Sequence, residues 1–242
     1  AVGRLGPLTA PVLSATKGFE PARHRRMSEV VAERWPDVPV AVLSGPTFAR
    51  EVARGQPTAA VVASRDDGLA ADLQRRLGSR EFRLYANRDV VGVEVGGALK
   101  NVIALATGIA DGLALGENAR AALVTRGLAE ITRLAVALGG EPATLAGLAG
   151  LGDLVLTSTG TLSRNRALGM ALAKGQSRDA VEGRTRMIAE GARTVSSALA
   201  LAARLGVNLP ICAEVGAVLF QGKSPGDALA ALLGRAARPE DA

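Results

Sequence analysis

The 242 residues carry 48% hydrophobic and 21% charged side chains, ordinary for a globular chain able to bury a sizeable core and too apolar for disorder. One cysteine, Cys212, and one histidine, His24, exclude an internal disulfide and a Cys/His zinc site within these residues, and leave acid–base work to Lys, Asp, Glu and the single tyrosine, Tyr85. The net charge of +6 and pI near 10.4 invite a nucleic-acid reading, but aromatics make up only 2%, no dense basic block exists, and the arginines stand beside Glu and Asp, so the balance equally suits a small anionic substrate. His24, in PARHRR, reads as a solvated surface position, and Cys212, in LPICAEVG, as a small buried hydrophobe. Gly, Arg, Glu or Asn interrupts each apolar stretch before the roughly 20 residues of a membrane span. No leader-like pattern opens the sequence. The expectation is a cytoplasmic protein without membrane insertion, nucleic acid or metal.

The first 90 residues alternate. A strand running into a loop is expected over 11–18, strands over 38–46, 58–64 and 81–87, and helices over 23–35, 47–54 and 66–78, a pattern that implies an α/β sheet. From Asp89 the apolar spacing turns helical, with helices expected over 90–110, 117–138, 142–152, 162–174, 187–205, 211–221 and 225–236. Gly139-Gly140, Gly175 and Gly206 supply C-terminal stops. Ser177 and Asp179 fall in a linking turn. The expected division is an α/β portion, 1–88, and an all-helical portion, 89–242. The α/β portion looks short of strands, so part of a preceding domain is expected to be missing.

Four stretches could carry chemistry. SATKG (14–18) sets Lys17 just past a strand end, where open α/β sheets bind ligands, although a surface turn would look the same. SGPTF (44–48) offers hydroxyls and, at Gly45, close backbone approach; it equally suits a turn and a helix cap. EVGGALKN (94–101) places Lys100 and Asn101 amid apolar residues and glycines, either opening into a cleft or with the lysine snorkelling to the surface. In GLGDLVLTSTGTLSRNRALG (150–169), Asp153 precedes an apolar turn and a run of hydroxyls. Ser163, Arg164 and Asn165 then open a helix whose amides and guanidinium make a natural phosphate site, or simply a cap and a surface arginine. GLAGLGDL lacks the third glycine and the preceding strand of a dinucleotide fingerprint, and neither G-x-G-x-x-G nor a P-loop occurs in these 242 residues.

Taken in order, SATKGFE, LSGPTFAREVARGQPTAAVVAS, EVGGALKNVIALATGIADGL, GLAGLGDLVLTSTGTLSRNRALG and EGARTV resemble the bacterial NAD(P)-dependent glycerol-3-phosphate dehydrogenases over nearly the whole chain. The resemblance implies the C-terminal part of a Rossmann-type domain followed by an all-α substrate domain, and reversible reduction of dihydroxyacetone phosphate to sn-glycerol 3-phosphate with NADH or NADPH, for phospholipid synthesis. By that resemblance Lys100 is the catalytic proton donor and acceptor, Lys17 contacts substrate and cofactor, and Asp153 is the acid beside the catalytic lysine. Gly45 and Thr47 match substrate-binding positions and Ala49 a cofactor contact. Ser163, Arg164 and Asn165 would hold the substrate, with Arg164 also near the cofactor, and Ile188 and Glu190 resemble late cofactor contacts. The family's glycine-rich cradle is absent from these residues, so weak cofactor binding and little turnover are expected.

Two other readings stay open. A related dehydrogenase of a hydroxy acid or sugar acid would also place Lys and Asn on an early helix of its second domain. A non-catalytic helical binding or oligomerisation fragment would be indifferent to loss of Lys100. The residues do not distinguish NADH from NADPH, and a homodimer through the helical portion is the expected assembly.

Overall fold

The computed structural model describes residues 6, 8–177, 190–236 and 239. Strands β1 (Val12–Ser14), β2 (Val40–Ser44), β3 (Thr58–Ser64) and β4 (Phe82–Asn87) form one sheet in the order β1-β2-β3-β4. The sheet is mixed: β1 runs parallel to β2 and β3 parallel to β4, while β2 and β3 pair antiparallel with Leu43 opposite Val62. β3 is wholly buried over its last five residues, and its unbroken TAAVVAS is the composition of a strand covered on both faces. Helices α1 (Met27–Arg34), α2 (Ala49–Ala53) and α3 (Asp67–Leu77) complete this portion.

The strand that opens 11–18 gives way to a loop after Ser14, as expected, while the helix expected over 23–35 begins only at Met27. The intervening segment is held in its own turn: Glu20 and Arg25 form a β-bridge, the Glu20 carboxylate accepts from the amides of Ala22 and Arg23, and His24 sits at φ 56°. His24 is correspondingly half-buried, with Nδ1 3.0 Å from Ser197 Oγ, rather than solvated.

Helix α4 (Val90–Gly112) is the axis of the molecule. Every residue from Val90 to Ala110 is buried, as expected of a helix apolar on all sides. It is long and apolar enough to cross a membrane, yet its whole apolar window lies inside the protein. Asp89 starts it, accepting from Gly92 N at 2.7 Å and from Glu141 N at 2.8 Å, so one carboxylate caps α4 and holds the later chain against it. One end of α4 packs on the sheet through Val90, Val93, Val42, Val61 and Ala63.

Around α4 lie α5 (Gly116–Ala137), α6 (Pro142–Leu145), a π-helical turn (Leu148–Gly152), α7 (Asp153–Thr159), α8 (Arg164–Ala173), α9 (Glu190–Leu205) and α10 (Pro210–Phe220), and α11 (Pro225–Leu233) packs on α10. Leu99, Ile103, Leu105, Ile131 and Leu134 have no exposed surface, and each contributes about 1.5–3 kcal/mol by burial. Gly139, Gly175 and Gly206 all take positive φ where helices end, as expected of C-terminal stops. The expected helix over 142–152 is broken by the π turn. The polar run after Asp153, expected as a non-helical link, is instead α7, whose Thr157 and Ser158 face inward.

Candidate active site

The site forms where the chain leaving β1 crosses α4 and meets the start of α7. Lys100 emerges from the middle of α4 with 6% of its surface exposed, and Asp153, 1% exposed, is the first residue of α7, where a helix N-terminus favours a carboxylate. Lys100 Nζ donates to Asp153 Oδ1 at 2.8 Å and to Thr157 Oγ1 at 2.8 Å. Lys17, three residues past β1, reaches in from the other side: its Nζ donates to Asp153 Oδ2 at 2.6 Å, to Gly45 O at 2.8 Å and to Thr47 Oγ1 at 3.3 Å. One buried carboxylate thus sits between two ammonium groups, with one oxygen for each.

Gly97 of α4 faces both the β2 end and the Lys17 stem. A Cβ there would stand 2.5 Å from Ser44 Oγ, so a side chain would have to displace the Ser44 hydroxyl, and 3.5 Å from Lys17 Cγ, in ordinary contact with the Lys17 stem. Ser44 Oγ is buried there without a hydrogen-bond partner.

A second group of polar side chains adjoins the first. Asn101 Nδ2 lies 3.4 Å from both Lys17 O and Glu190 Oε2, and its Oδ1 accepts from Asn165 Nδ2 at 2.9 Å. Asn165 Oδ1 in turn accepts from Gly191 N at 2.9 Å. The two asparagines therefore tie α4, α8 and α9 together. Arg164 and Glu190 stand beside this group, 3.9 Å apart and about half exposed.

Burial depresses the pKa of Lys100 below the ordinary lysine range; Asp153 opposes that shift, the neighbouring Lys17 adds to it, and Glu190 opposes it weakly. The result is an amine that stays paired yet surrenders its proton more readily than a surface lysine.

Of the residues singled out from the sequence, Lys17, Gly45, Thr47, Lys100 and Asp153 form one network, and Asn165, Glu190 and Arg164 the adjoining one. Ser163 is 4% exposed and its Oγ accepts from Arg166 N at 3.3 Å, capping α8, the arrangement left open beside its reading as a substrate ligand. Ala49 opens α2 and is exposed. Ile188 lies outside the described residues. Thr157 escaped notice as a partner of Lys100, because its spacing from Asp153 means one helical face only once 153–159 is known to be helical. Among the described residues, no group of three or more His, Cys, Asp or Glu is placed to hold a metal.

The model of the NAD-dependent glycerol-3-phosphate dehydrogenase C-terminus matches residues 89–230, and that of the N-terminus matches residues 3–70. This chain belongs to the NAD-dependent glycerol-3-phosphate dehydrogenase family. Glycerol-3-phosphate dehydrogenase [NAD(P)+] of Rhodospirillum rubrum is 53% identical over 236 residues, spanning 98% of this chain and 68% of the relative. That of Koribacter versatilis is 56% identical over 233 residues, 94% of this chain and 69% of the relative. The crystal structure of glycerol-3-phosphate dehydrogenase from Coxiella burnetii superposes with a TM-score of 0.90 at 44% identity, covering 93% of this chain and 69% of that one. The family's N-terminal model matches residues 3–70, so sequence of that region is present here, and weak turnover finds no support in these comparisons.

A nicotinamide dinucleotide suits the donor set of this dehydrogenase. Ammonium and guanidinium groups at Lys17 and Arg164 match phosphate or polarised oxygen, and the half-exposed Glu190 carboxylate accepts from amide or hydroxyl donors.

Proposed function

We propose that this protein catalyses the reversible NAD(P)-dependent reduction of dihydroxyacetone phosphate to sn-glycerol 3-phosphate, with Lys100 as the proton donor. The observation that carries the reading is the single carboxylate of Asp153 shared by the ammonium groups of Lys17 and Lys100, at the junction of a Rossmann-like sheet and a helical bundle in a member of this family. The bound nicotinamide supplies the hydride. The chain's own residues handle the charge and the proton. As the ketone oxygen becomes an alkoxide, the Lys100 ammonium stabilises it and transfers a proton from Nζ; in oxidation the neutral amine takes that proton back. Asp153 and Thr157 fix the direction in which Nζ points, and Lys17 adds a second positive centre.

The phosphate is assigned to Arg164, Asn165 and the amides that open α8, a cationic fork beside a helix N-terminus. Ser163 then contributes by holding that N-terminus in shape as well as through any direct contact. Gly45 and Thr47 bound the substrate beside Lys17, and Ala49, Ile188 and Glu190 belong to the cofactor side. In this reading residues 1–88 serve the cofactor and 89–242 the substrate. A cytoplasmic location and a homodimer belong to the same proposal, and cell fractionation and sedimentation test them.

The direct test follows nicotinamide absorbance with dihydroxyacetone phosphate, set against a panel of hydroxy acids and sugar acids. Oxidation that depends on the triose phosphate and falls by about 10²–10⁴-fold in Lys100→Met is expected. Equal activity in Lys100→Met, or preference for a sugar acid, would overturn the assignment.

A further inference from the structure

One stripe of α4 runs under the segment that carries Lys17. Glu94, Gly97 and Asn101 recur at helical spacing and lie on one face. Asn101 reaches the Lys17 carbonyl, Gly97 lies beside the Lys17 stem, and Glu94 holds the far end of the same segment. Its Oε1 accepts from Ser28 N at 2.8 Å, and its Oε2 from Ser28 Oγ at 2.5 Å and from Arg26 Nη1 at 3.1 Å. Both ends of this contact are buried: Glu94 is 7% exposed and Arg26 8%. Arg26 is itself committed to α1, donating from its amide to Glu29 Oε2 at 2.8 Å and from Nη2 to Glu29 Oε1 at 2.7 Å. Between these pins Phe19 packs into the helical core and His24 meets Ser197 on α9. The loop after β1 is thus fastened to the helical bundle at several points, at Lys17, Phe19, His24 and Arg26–Ser28.

A buried carboxylate is a costly way to fasten a loop. Desolvation raises the pKa of Glu94, and its three donors only partly offset that. A clamp of this kind serves best where a side chain on the loop has to be held at a set distance, and the only ammonium the loop carries is Lys17, bonded to Asp153 at 2.6 Å.

We propose that Glu94 is a positioning residue for the dehydrogenase reaction, pinning the 17–28 segment to α4 so that Lys17 keeps its hold on Asp153 and the carboxylate stays divided between two ammonium groups. The inference deepens the proposed function and rests on it for its kinetic consequence, while its structural consequence can be read in the resting protein. Lys100 faces Asp153 and Thr157 from α7, Lys17 from the β1 loop and Glu190 from α9. When the clamp is released, Lys17 withdraws, its repulsion of Lys100 falls, and Asp153 turns wholly to Lys100. Both changes favour the charged form, so the Lys100 titration moves to higher pH.

The chain has four lysines, Lys17, Lys100, Lys174 and Lys223, so 13C-labelled lysine gives a spectrum in which the Lys100 signal is identified by its loss in Lys100→Arg. The full chain is titrated as wild type, Glu94→Gln and Ser28→Ala, with thermal melting alongside. The expected result is a Lys100 titration displaced upward in Glu94→Gln and less so in Ser28→Ala. Reduction should be slowed about ten- to a hundredfold in Glu94→Gln, with the alkaline limb of its pH profile displaced in the same direction. Loss of folded protein alone would scale the rate at every pH and leave the limb in place. A Lys100 titration unchanged in a folded Glu94→Gln protein overturns the proposal, and if that variant fails to fold, Ser28→Ala decides in the same way. A displaced titration without triose-phosphate turnover in the wild type would uphold the clamp and sink the assigned reaction instead.

Discussion

Within α4 the ammonium of Lys100 is stripped of most of its water, and its remaining partners decide how firmly it holds its proton. Burial weakens that hold and Asp153 strengthens it, with burial ahead. In the proposed mechanism reduction uses the protonated amine, so the rate of reduction should fall as pH rises through the lowered Lys100 pKa, while oxidation, which uses the free amine, should rise through the same interval. A pH–rate profile whose limb lies below the ordinary lysine range is the expected result. Stability follows from the same depression. Between the lowered value and that of an unfolded lysine the unfolded chain binds more protons, so the contribution of Lys100 to stability improves with rising pH across that window and is least below it. Asp153 is what makes the charged site tolerable. Asp153→Asn leaves two ammonium groups facing each other without a counter-charge and should cost up to about 3–5 kcal/mol at neutral pH. The loss should shrink at alkaline pH as Lys100 becomes neutral, which denaturant melts at two pH values will measure.

Among the elements, α10 shows how a buried carboxylate can serve structure alone. Its N-terminus begins at Pro210, and the next two amides, Ile211 N and Cys212 N, donate to the two oxygens of Glu130 on α5 at 2.6 and 3.2 Å. Glu130 is 1% exposed and its pKa is raised by burial, with the two amides acting against that shift. A glutamine would put an NH₂ donor against one of these N–H donors. Glu130→Gln should therefore destabilise the fold by about 1–3 kcal/mol, seen as a lower Tm, with substrate KM unchanged. The elements also show where local patterns mislead. The apolar stretch 142–152 and the polar stretch 153–161 read as one helix and one link, yet the chain makes a short helix, a π turn and then α7. Packing of Ala149 against the sheet and of Leu154 in the helical core places the break, and neither contact is written in local propensity.

At the scale of the whole molecule, α4 joins two cores. Its first turns pack against the sheet and its remainder against α5, α8 and α9, so the lysine midway along it stands where both portions meet. Removal of a central contact should weaken both together. Leu99→Ala, at a position with no exposed surface, is expected to cost about 2–5 kcal/mol and to lower a single cooperative transition. Two separate transitions in denaturant would show instead that the portions unfold independently.

What composition and pattern determined by themselves was considerable. The alternation of strand and helix before Asp89, the helical run after it, and the lysine lodged among glycines and aliphatics in EVGGALKN were legible because period and polarity are local properties. The order of motifs pointed to the family. Only the tertiary structure decided that β2 and β3 run antiparallel, that Asp153 divides its oxygens between Lys17 and Lys100, that Thr157 completes the lysine's shell, and that Ser163 spends its hydroxyl on a helix cap. Each of those depends on side chains brought together from positions as many as 136 residues apart, or on a helix boundary set by packing. Separation along the chain carries no record of distance in space, and burial, which sets the proton affinity of Lys100, exists only once the surrounding helices have closed.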